Sequence, residues 1–93
     1  MEKNYYTLSG GTGIGMSIAL NKMKGIYCAK ISNISEAVLC RNHNDANVIA
    51  ISADISDDLA QSMVDKFITT PFLDEEKYIR RINMIKEQEE NNG

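Results

Sequence analysis

The sequence predicts an α/β fold built on a parallel sheet of about three strands. Three short apolar runs, at residues 5–8, 26–31 and 48–51, alternate with stretches whose apolar residues recur at helical spacing. This alternation is typical of strand–helix–strand units in a parallel sheet. A glycine-rich turn follows the first run directly, where such a unit connects its strand to its helix.

Four helices are predicted around these strands. Their boundary signals are Gly25 as a C-cap after the first, Asn33 with Glu36 as a capping box before the second, and Ser56 before and Pro71 after the third. The fourth is expected over about residues 74–89. The positions at helical spacing are Ile14, Ile18 and Met23; Ile34, Ala37, Val38 and Arg41; Leu59, Met63, Val64 and Phe67; and Tyr78, Ile82 and Ile85. The third and fourth of these sets are expected to face the core.

Length indicates a single small domain over residues 1–93. A chain of this size buries only about 60% of its unfolded surface, so its core is marginal unless a partner adds to it. Parallel strands are also normally embedded in wider sheets that are covered on both faces. We therefore expect the sheet to be incomplete: either the chain pairs with a second copy, as a homodimer, or with a partner subunit, or the sequence is the later portion of something longer.

Charge and hydropathy exclude several classes of function. The formal net charge of −3, with lysines and glutamates intermixed, provides no basic face for nucleic acid. No apolar run approaches the ~20 residues of a membrane span, and the first residues lack the regions of a signal peptide. Cys28 and Cys40 have no metal-like spacing and are interpreted as buried reduced thiols. The expected location is the cytoplasm, without membrane or nucleic-acid partners.

The glycine-rich turn is the segment best suited to hold an anion. Gly10, Gly11, Gly13 and Gly15 permit positive φ angles and a close approach of ligand to backbone. The helix that follows directs its unpaired N–H groups back at the turn. A phosphate or a developing oxyanion would suit this arrangement.

Two common kinds of glycine-rich site, the dinucleotide-binding turn and the P-loop, are excluded by the same residue. A dinucleotide fingerprint starting at Gly11 requires a third glycine where Met16 stands, and a P-loop starting at Gly10 requires a lysine there. One remaining reading is an oxyanion site, in which backbone N–H groups and the Thr12 hydroxyl stabilise an enediolate oxygen. The other is a turn needed only for tight packing of strand against helix.

Two further polar groups are candidates for ligand binding. His43, the single histidine, lies between the second helix and the third strand, at the opposite end of the sheet from the glycine turn. It would therefore act on a ligand at that turn across an interface, or it merely ends a helix. Lys77 and Arg81 are spaced i, i+4 and share one helix face, where they would clamp a phosphate or form a solvated surface with glutamates.

Four motifs together resemble the type B ribose-5-phosphate isomerases, in the family that also holds the galactose-6-phosphate isomerases. They are Gly-Thr-Gly-Ile-Gly-Met-Ser-Ile-Ala-Leu-Asn-Lys at 11–22, Arg-Asn-His-Asn-Asp-Ala-Asn-Val at 41–48, Thr-Thr-Pro-Phe at 69–72 and Arg-Arg-Ile at 80–82. The resemblance implies a Rossmann-like three-layer fold, a homodimer or dimer of dimers, and aldose–ketose isomerisation of a sugar phosphate through a cis-enediol. It also implies that neither a metal nor an organic cofactor is needed.

The resemblance assigns roles to residues that match the family motifs. The loop of Gly11, Thr12, Gly13 and Gly15 would hold the enediolate oxygen. His43 would help to open the sugar ring, and Asn44 would hydrogen-bond a sugar oxygen. Lys77 and Arg81 would take the places of two phosphate-binding arginines, although an ammonium lacks the fork of a guanidinium.

The chain departs from the family pattern where a base is expected. Many members have a cysteine where Gly10 stands and others a glutamate where Met16 stands, and neither residue here can accept a proton. The family's opening strand with its Asp-His pair is also expected to be missing. Little turnover is therefore expected from the chain alone, and the alternative is a non-catalytic homologue or companion subunit that keeps the fold and the phosphate site.

Overall fold

The structure, a computed structural model, describes residues 5–9 and 11–92. Strands and helices alternate along these residues as β1 (Tyr5–Ser9), α1 (Ile14–Asn21), β2 (Cys28–Ile31), α2 (Ile34–Asn44), β3 (Val48–Ser52), α3 (Asp57–Thr69) and α4 (Glu76–Asn92). The predicted α/β alternation is confirmed. Across the described ranges, no helix is both long and apolar enough to cross a bilayer.

The three strands form a parallel sheet in the order β1-β3-β2. The chain therefore crosses from β1 to the far edge through α1 and returns to the centre through α2. Right-handed crossovers in opposite directions place their helices on opposite faces of the sheet. This connectivity produces the predicted three-layer, Rossmann-like arrangement.

The core lies between the sheet and the α2–α3 face. Ile49, Ile51, Met63 and Phe67 have no exposed surface, and each such burial contributes about 1.5–3 kcal/mol. The opposite face is less well covered, because α1 contributes no buried side chain. Ile14 and Ile18 of α1 are 52% and 56% exposed, and Met23, two residues after the helix, is 57% exposed.

Side-chain caps define where α2 and α3 begin. Asn33 Oδ1 accepts a hydrogen bond from the Glu36 backbone N–H at 2.8 Å, and Ser56 Oγ accepts one from the Leu59 N–H at 3.2 Å. Glu36 Oε1 accepts from the backbone N–H of Ser32 at 2.6 Å, one residue before the cap. The predicted caps are confirmed, with the carboxylate reaching one residue further than in a standard capping box.

The predicted end of α1 is wrong. The helix stops at Asn21 with Lys22 as its C-cap, and Gly25 is not the capping residue. Gly25, with φ 82°, instead lies in a separate turn closed by the Ile26 N–H and the Met23 carbonyl at 3.1 Å. The left-handed glycine is therefore used to redirect the chain into β2.

Two residues predicted to face the core are exposed. Leu59 is 36% exposed because it lies in the first turn of α3, before the buried stripe that begins at Met63. Ile85 is 44% exposed because it lines a cleft at the amino end of the sheet. Tyr78 and Ile82, the other two predicted inward positions of α4, are buried as expected.

The outer edge of β2 is engaged by a side chain. Asn21 Nδ2 donates to the Cys28 carbonyl at 2.9 Å, and Asn21 Oδ1 accepts from the Cys28 N–H at 2.7 Å. The amide thus forms the pair of bonds that a neighbouring strand would form. It fixes the end of α1 to the start of β2.

The far end of α4 is fixed to the turn before β2. Glu89 accepts hydrogen bonds from the Gly25 N–H at 2.8 Å and from the Tyr27 hydroxyl at 3.2 Å. Burial and the nearby Glu89 carboxylate raise the pKa of Tyr27, which stays protonated and keeps donating. The C-terminal end of α4 is thereby held against the amino end of the sheet.

Candidate active site

The glycine loop lies at the carboxyl end of the sheet, between β1 and α1. Gly11 and Gly13 have φ angles of 89° and 85°, which favour glycine, and Gly13 is the N-cap of α1. A Cβ atom built on Gly11 or Gly15 would meet no heavy atom within 4 Å, so the space in front of both residues is open. Gly10 lies outside the described residues.

The loop carries the donors that an oxyanion needs. The first N–H groups of a helix have no partner within the helix, and the positive end of its dipole adds to their field. Thr12 is exposed at this end, where its Oγ1 accepts from the Ile14 N–H at 3.3 Å. The hydroxyl hydrogen of Thr12 is therefore available to a ligand oxygen at the start of α1.

Ser52 lies against the same loop and also contacts Asp54, and neither residue was singled out from the sequence. Ser52 Oγ is 2.9 Å from the Gly11 carbonyl oxygen and 2.5 Å from Asp54 Oδ1. The Ala53 N–H donates to the Gly11 carbonyl at 3.1 Å. The signal that could have identified them is the polar Ser-Ala-Asp segment directly after the central strand, because parallel-sheet sites form at the carboxyl ends of strands.

His43 lies in the last turn of α2 and is held by a ring contact. It stacks on Tyr78 of α4, with ring centroids 4.4 Å apart and planes inclined by 14°. The Leu73 N–H donates to the Asn42 carbonyl at 3.0 Å, which fixes the segment before α4 to the same turn. Asn44, the next residue after His43, is exposed.

A buried arginine fixes the end of α2 that carries these residues. Arg41 is 4% exposed, and its Nη1 donates to Asp45 Oδ1 at 2.9 Å and to the Ala46 carbonyl at 2.7 Å. Its Nε donates to the Thr70 carbonyl at 3.0 Å, which joins the ends of α2 and α3. Asp45 follows α2 in the left-handed region at φ 50°.

Lys77 and Arg81 occupy one exposed face in the first turns of α4. The Lys77 Nζ atom lies 4.9 Å from the centroid of the Tyr78 ring. Because Tyr78 also stacks on His43, the ammonium group and the imidazole border the same aromatic ring. His43 and Lys77 therefore lie at the same ring, and together with Asn44, which follows His43, and Arg81, one helical turn after Lys77, they are called here the cationic group.

Within one chain, the glycine loop and the cationic group lie at opposite ends of the sheet. The loop is bonded to Ser52 at the carboxyl end of β3, whereas His43 ends the helix that leads into the amino end of β3. A cleft of about 830 Å³ at the amino end is lined by Asn44, together with Cys28 and Glu89, but by no residue of the loop. A single chain therefore does not bring the two groups together.

The two cysteines have the properties of protonated thiols. Burial raises the pKa of Cys28, and it raises the pKa of Cys40 from 9.0 to about 11. Neither forms a disulfide; Cys40 is buried as predicted, whereas Cys28 is only half-buried because it lies at the start of the edge strand β2. Among the residues that the structure describes, no group of three His, Cys, Asp or Glu side chains is placed to hold a metal ion.

Comparison with known proteins identifies the family. The family model described as Ribose/Galactose Isomerase matches residues 2–85 of the chain. The chain belongs to the ribose/galactose isomerase family. The resemblance inferred from the four motifs is therefore confirmed, and so is the fold that it implied.

Individual family members show the same likeness. Ribose-5-phosphate isomerase B of Mycobacterium tuberculosis is 39% identical over 83 residues, which are 86% of this chain and 50% of that protein. The ribose 5-phosphate isomerase structure from Thermotoga maritima has a TM-score of 0.81 and 41% identity, covering 88% of this chain and 56% of that one. The type B enzyme structure from Leishmania infantum has a TM-score of 0.90 and 34% identity, covering 98% and 60%. The chain spans about half the length of the curated relatives it matches.

Proposed function

We propose that the chain supplies the oxyanion loop and the phosphate-binding helix of a sugar-phosphate isomerase that interconverts ribose 5-phosphate and ribulose 5-phosphate. The observation that carries this proposal is the loop: two left-handed glycines, an exposed threonine hydroxyl and a helix N-terminus at the carboxyl edge of a parallel sheet. Family membership supports the reaction type.

In the proposed reaction, the loop stabilises the charge that develops on the substrate. Removal of a proton from the carbon beside the carbonyl produces an enediolate, and its oxygen gains negative charge in the transition state. Except for the Ile14 N–H, which already donates to Thr12 Oγ1, the backbone N–H groups from Gly11 to Gly15 are held in place by the loop before the reaction begins, with the Thr12 hydroxyl beside them. Such preorganised donors contribute about 3–4 kcal/mol each when one is removed from an oxyanion site.

The cationic group would bind the other parts of the substrate. Lys77 and Arg81 are two cations one helical turn apart, a spacing that suits the two or more oxygens of a phosphate monoester. His43 would transfer a proton during opening of the furanose ring, and its stack on Tyr78 fixes the plane of the imidazole. Asn44 would orient the substrate through a hydroxyl.

We propose that a complete site forms between two copies of the chain, because one copy holds the loop and the cationic group at opposite ends of its sheet. A homodimer that places the end of α2 and the start of α4 from one copy over the loop of the other satisfies this requirement. The two reduced cysteines agree with a cytoplasmic setting.

The test is an isomerase assay over a range of chain concentrations, paired with sedimentation. We expect ribulose 5-phosphate formation per chain to rise with concentration in parallel with the dimer fraction, because neither half of the site is sufficient alone. Arg81→Ala should raise KM about tenfold or more, whereas Arg80→Ala, its matched neighbour outside the proposed clamp, should leave KM unchanged. Binding of ribose 5-phosphate without turnover at any concentration would favour a non-catalytic companion subunit.

A further inference from the structure

The glycine loop needs a proton acceptor that neither Gly10 nor Met16 provides. Proton transfer to or from carbon requires a base within hydrogen-bond reach of the reacting atom, directly or through one water. Around the described part of the loop, the candidate with a carboxylate is Asp54, in the turn between β3 and α3. This inference rests on the proposed isomerase function of the same loop.

The contacts of Ser52 connect Asp54 to the loop backbone. Ser52 Oγ is within hydrogen-bond distance of both the Gly11 carbonyl oxygen and Asp54 Oδ1, at 2.9 and 2.5 Å. A hydroxyl has one hydrogen, so it donates to only one of these two acceptors at a time. An ionised Asp54 accepts that hydrogen, whereas a protonated Asp54 donates to Ser52 Oγ and releases the serine hydrogen to the Gly11 carbonyl. The protonation state of Asp54 is thereby coupled to the loop.

The position of Asp54 suits proton exchange with a ligand. Asp54 is exposed and follows the carboxyl end of the central strand β3. The loop N–H groups and Thr12 lie at the same edge of the sheet. The Gly11 carbonyl keeps the Ala53 N–H as a donor in either state, so the switch of the Ser52 hydrogen does not leave it unpaired. The carboxylate therefore gains and loses a proton without disrupting the loop.

We propose that Asp54 is the base that transfers the proton between C2 and C1 of the sugar phosphate, and that Ser52 is a positioning residue for it. Asp54 takes the proton from C2, the C2–H electron pair forms the C1=C2 double bond, and the carbonyl electron pair moves to O1, which the loop stabilises. Asp54 then returns the proton to C1, and the O2 hydroxyl proton passes to O1. The product is the ketose, and no oxidant or reductant is consumed.

Wash-out of deuterium from C2 measures this step directly. Ribose 5-phosphate labelled at C2 is incubated in ordinary water with the 93-residue chain, and loss of the label is followed by mass spectrometry. We expect Asp54→Asn to slow the wash-out at least about 100-fold, while the dissociation constant for ribose 5-phosphate changes less than twofold. Asp54→Glu should recover at least about a tenth of the parent rate. The matched control is Asp58→Asn, an exposed carboxylate of the first turn of α3, which should match the parent.

Chemical rescue separates a catalytic from a structural role. Added formate should accelerate wash-out by Asp54→Ala with saturation, because a small carboxylate can occupy the space of the missing side chain. Ser52→Ala should lower kcat with little effect on KM. Wash-out by folded Asp54→Asn at the parent rate, or no rescue of folded Asp54→Ala, would overturn the assignment of Asp54 and leave the isomerase proposal intact. No wash-out by the parent at any chain concentration would refute both.

Discussion

Neutralising Asp45 tests whether its ion pair with the buried Arg41 stabilises the end of α2, which carries His43 and Asn44. Asp45→Asn keeps a side chain that tolerates the left-handed conformation at φ 50°, so the backbone is not strained further. What is lost is the charge that faces the Arg41 guanidinium at 2.9 Å.

The structure sets the expected magnitude. The side chains of Arg41 and Asp45 are 5% and 27% exposed, so the pair lies between a fully buried one, whose rupture costs about 3–5 kcal/mol, and an exposed one worth at most about 1 kcal/mol. The guanidinium also keeps the Ala46 and Thr70 carbonyls as acceptors. We therefore expect the free energy of unfolding to fall by about 1–2 kcal/mol.

Urea unfolding at one fixed chain concentration measures this change, because association would itself contribute to stability. With a typical slope for a small protein, the midpoint should fall by roughly 0.5–1 M. Glu87→Gln is the control, since it removes the same charge from an exposed position on α4. A change for Asp45→Asn no larger than for Glu87→Gln would show that the ion pair does not stabilise the end of α2.

Two further predictions concern the buried residues Tyr78 and Cys40. Tyr78→Ala should destabilise the chain by about 3 kcal/mol and release His43 from its stack, whereas Tyr78→Phe, which keeps the ring, should stay within about 1 kcal/mol of the parent in thermal unfolding. Burial raises the pKa of Cys40 from 9.0 to about 11, so the folded state holds the thiol proton more tightly than the unfolded state. The stability that the protonated thiol contributes is therefore complete below pH 9.0 and is lost as the pH rises towards about 11. Unfolding midpoints of the parent should therefore fall more steeply over that range than those of Cys40→Val, and equal slopes would contradict the argument.

Much of the fold could be predicted because local signals and tertiary packing agree. Asn33 and Ser56 cap their helices in the structure as their positions in the sequence indicate. The end of α1 could not be predicted, because Gly25 suits both a C-cap and the turn that the chain actually forms. Periodicity also failed for Ile85, since a helical apolar spacing does not reveal whether a neighbour covers that face.

Part of the candidate site could also be predicted from the sequence, and part could not. The backbone geometry of the loop was predictable because glycines at a strand–helix junction permit the left-handed conformation, and the structure has it at Gly11 and Gly13. The stack of His43 on Tyr78 was not, because it joins residues 35 positions apart through the packing of α4 on α2. Asp54 was overlooked because a carboxylate after a strand is typical of an ordinary turn, and its link to the loop runs through Ser52, which only the structure shows.

The side-chain amide of Asn21 blocks part of the outer edge of β2, so a further strand can pair with the sheet more easily at its other edge. Along β2, the backbone N–H and C=O groups point alternately towards β3 and towards the outer edge of the sheet. Those of Cys28 and Lys30 point outward, and both groups of Cys28 are already bonded to the Asn21 amide. Lysine on an edge strand discourages pairing with another chain. A strand that enlarges this sheet is therefore directed to the β1 side, so that the glycine loop, which follows β1, becomes interior to the widened sheet while β2 stays at its margin.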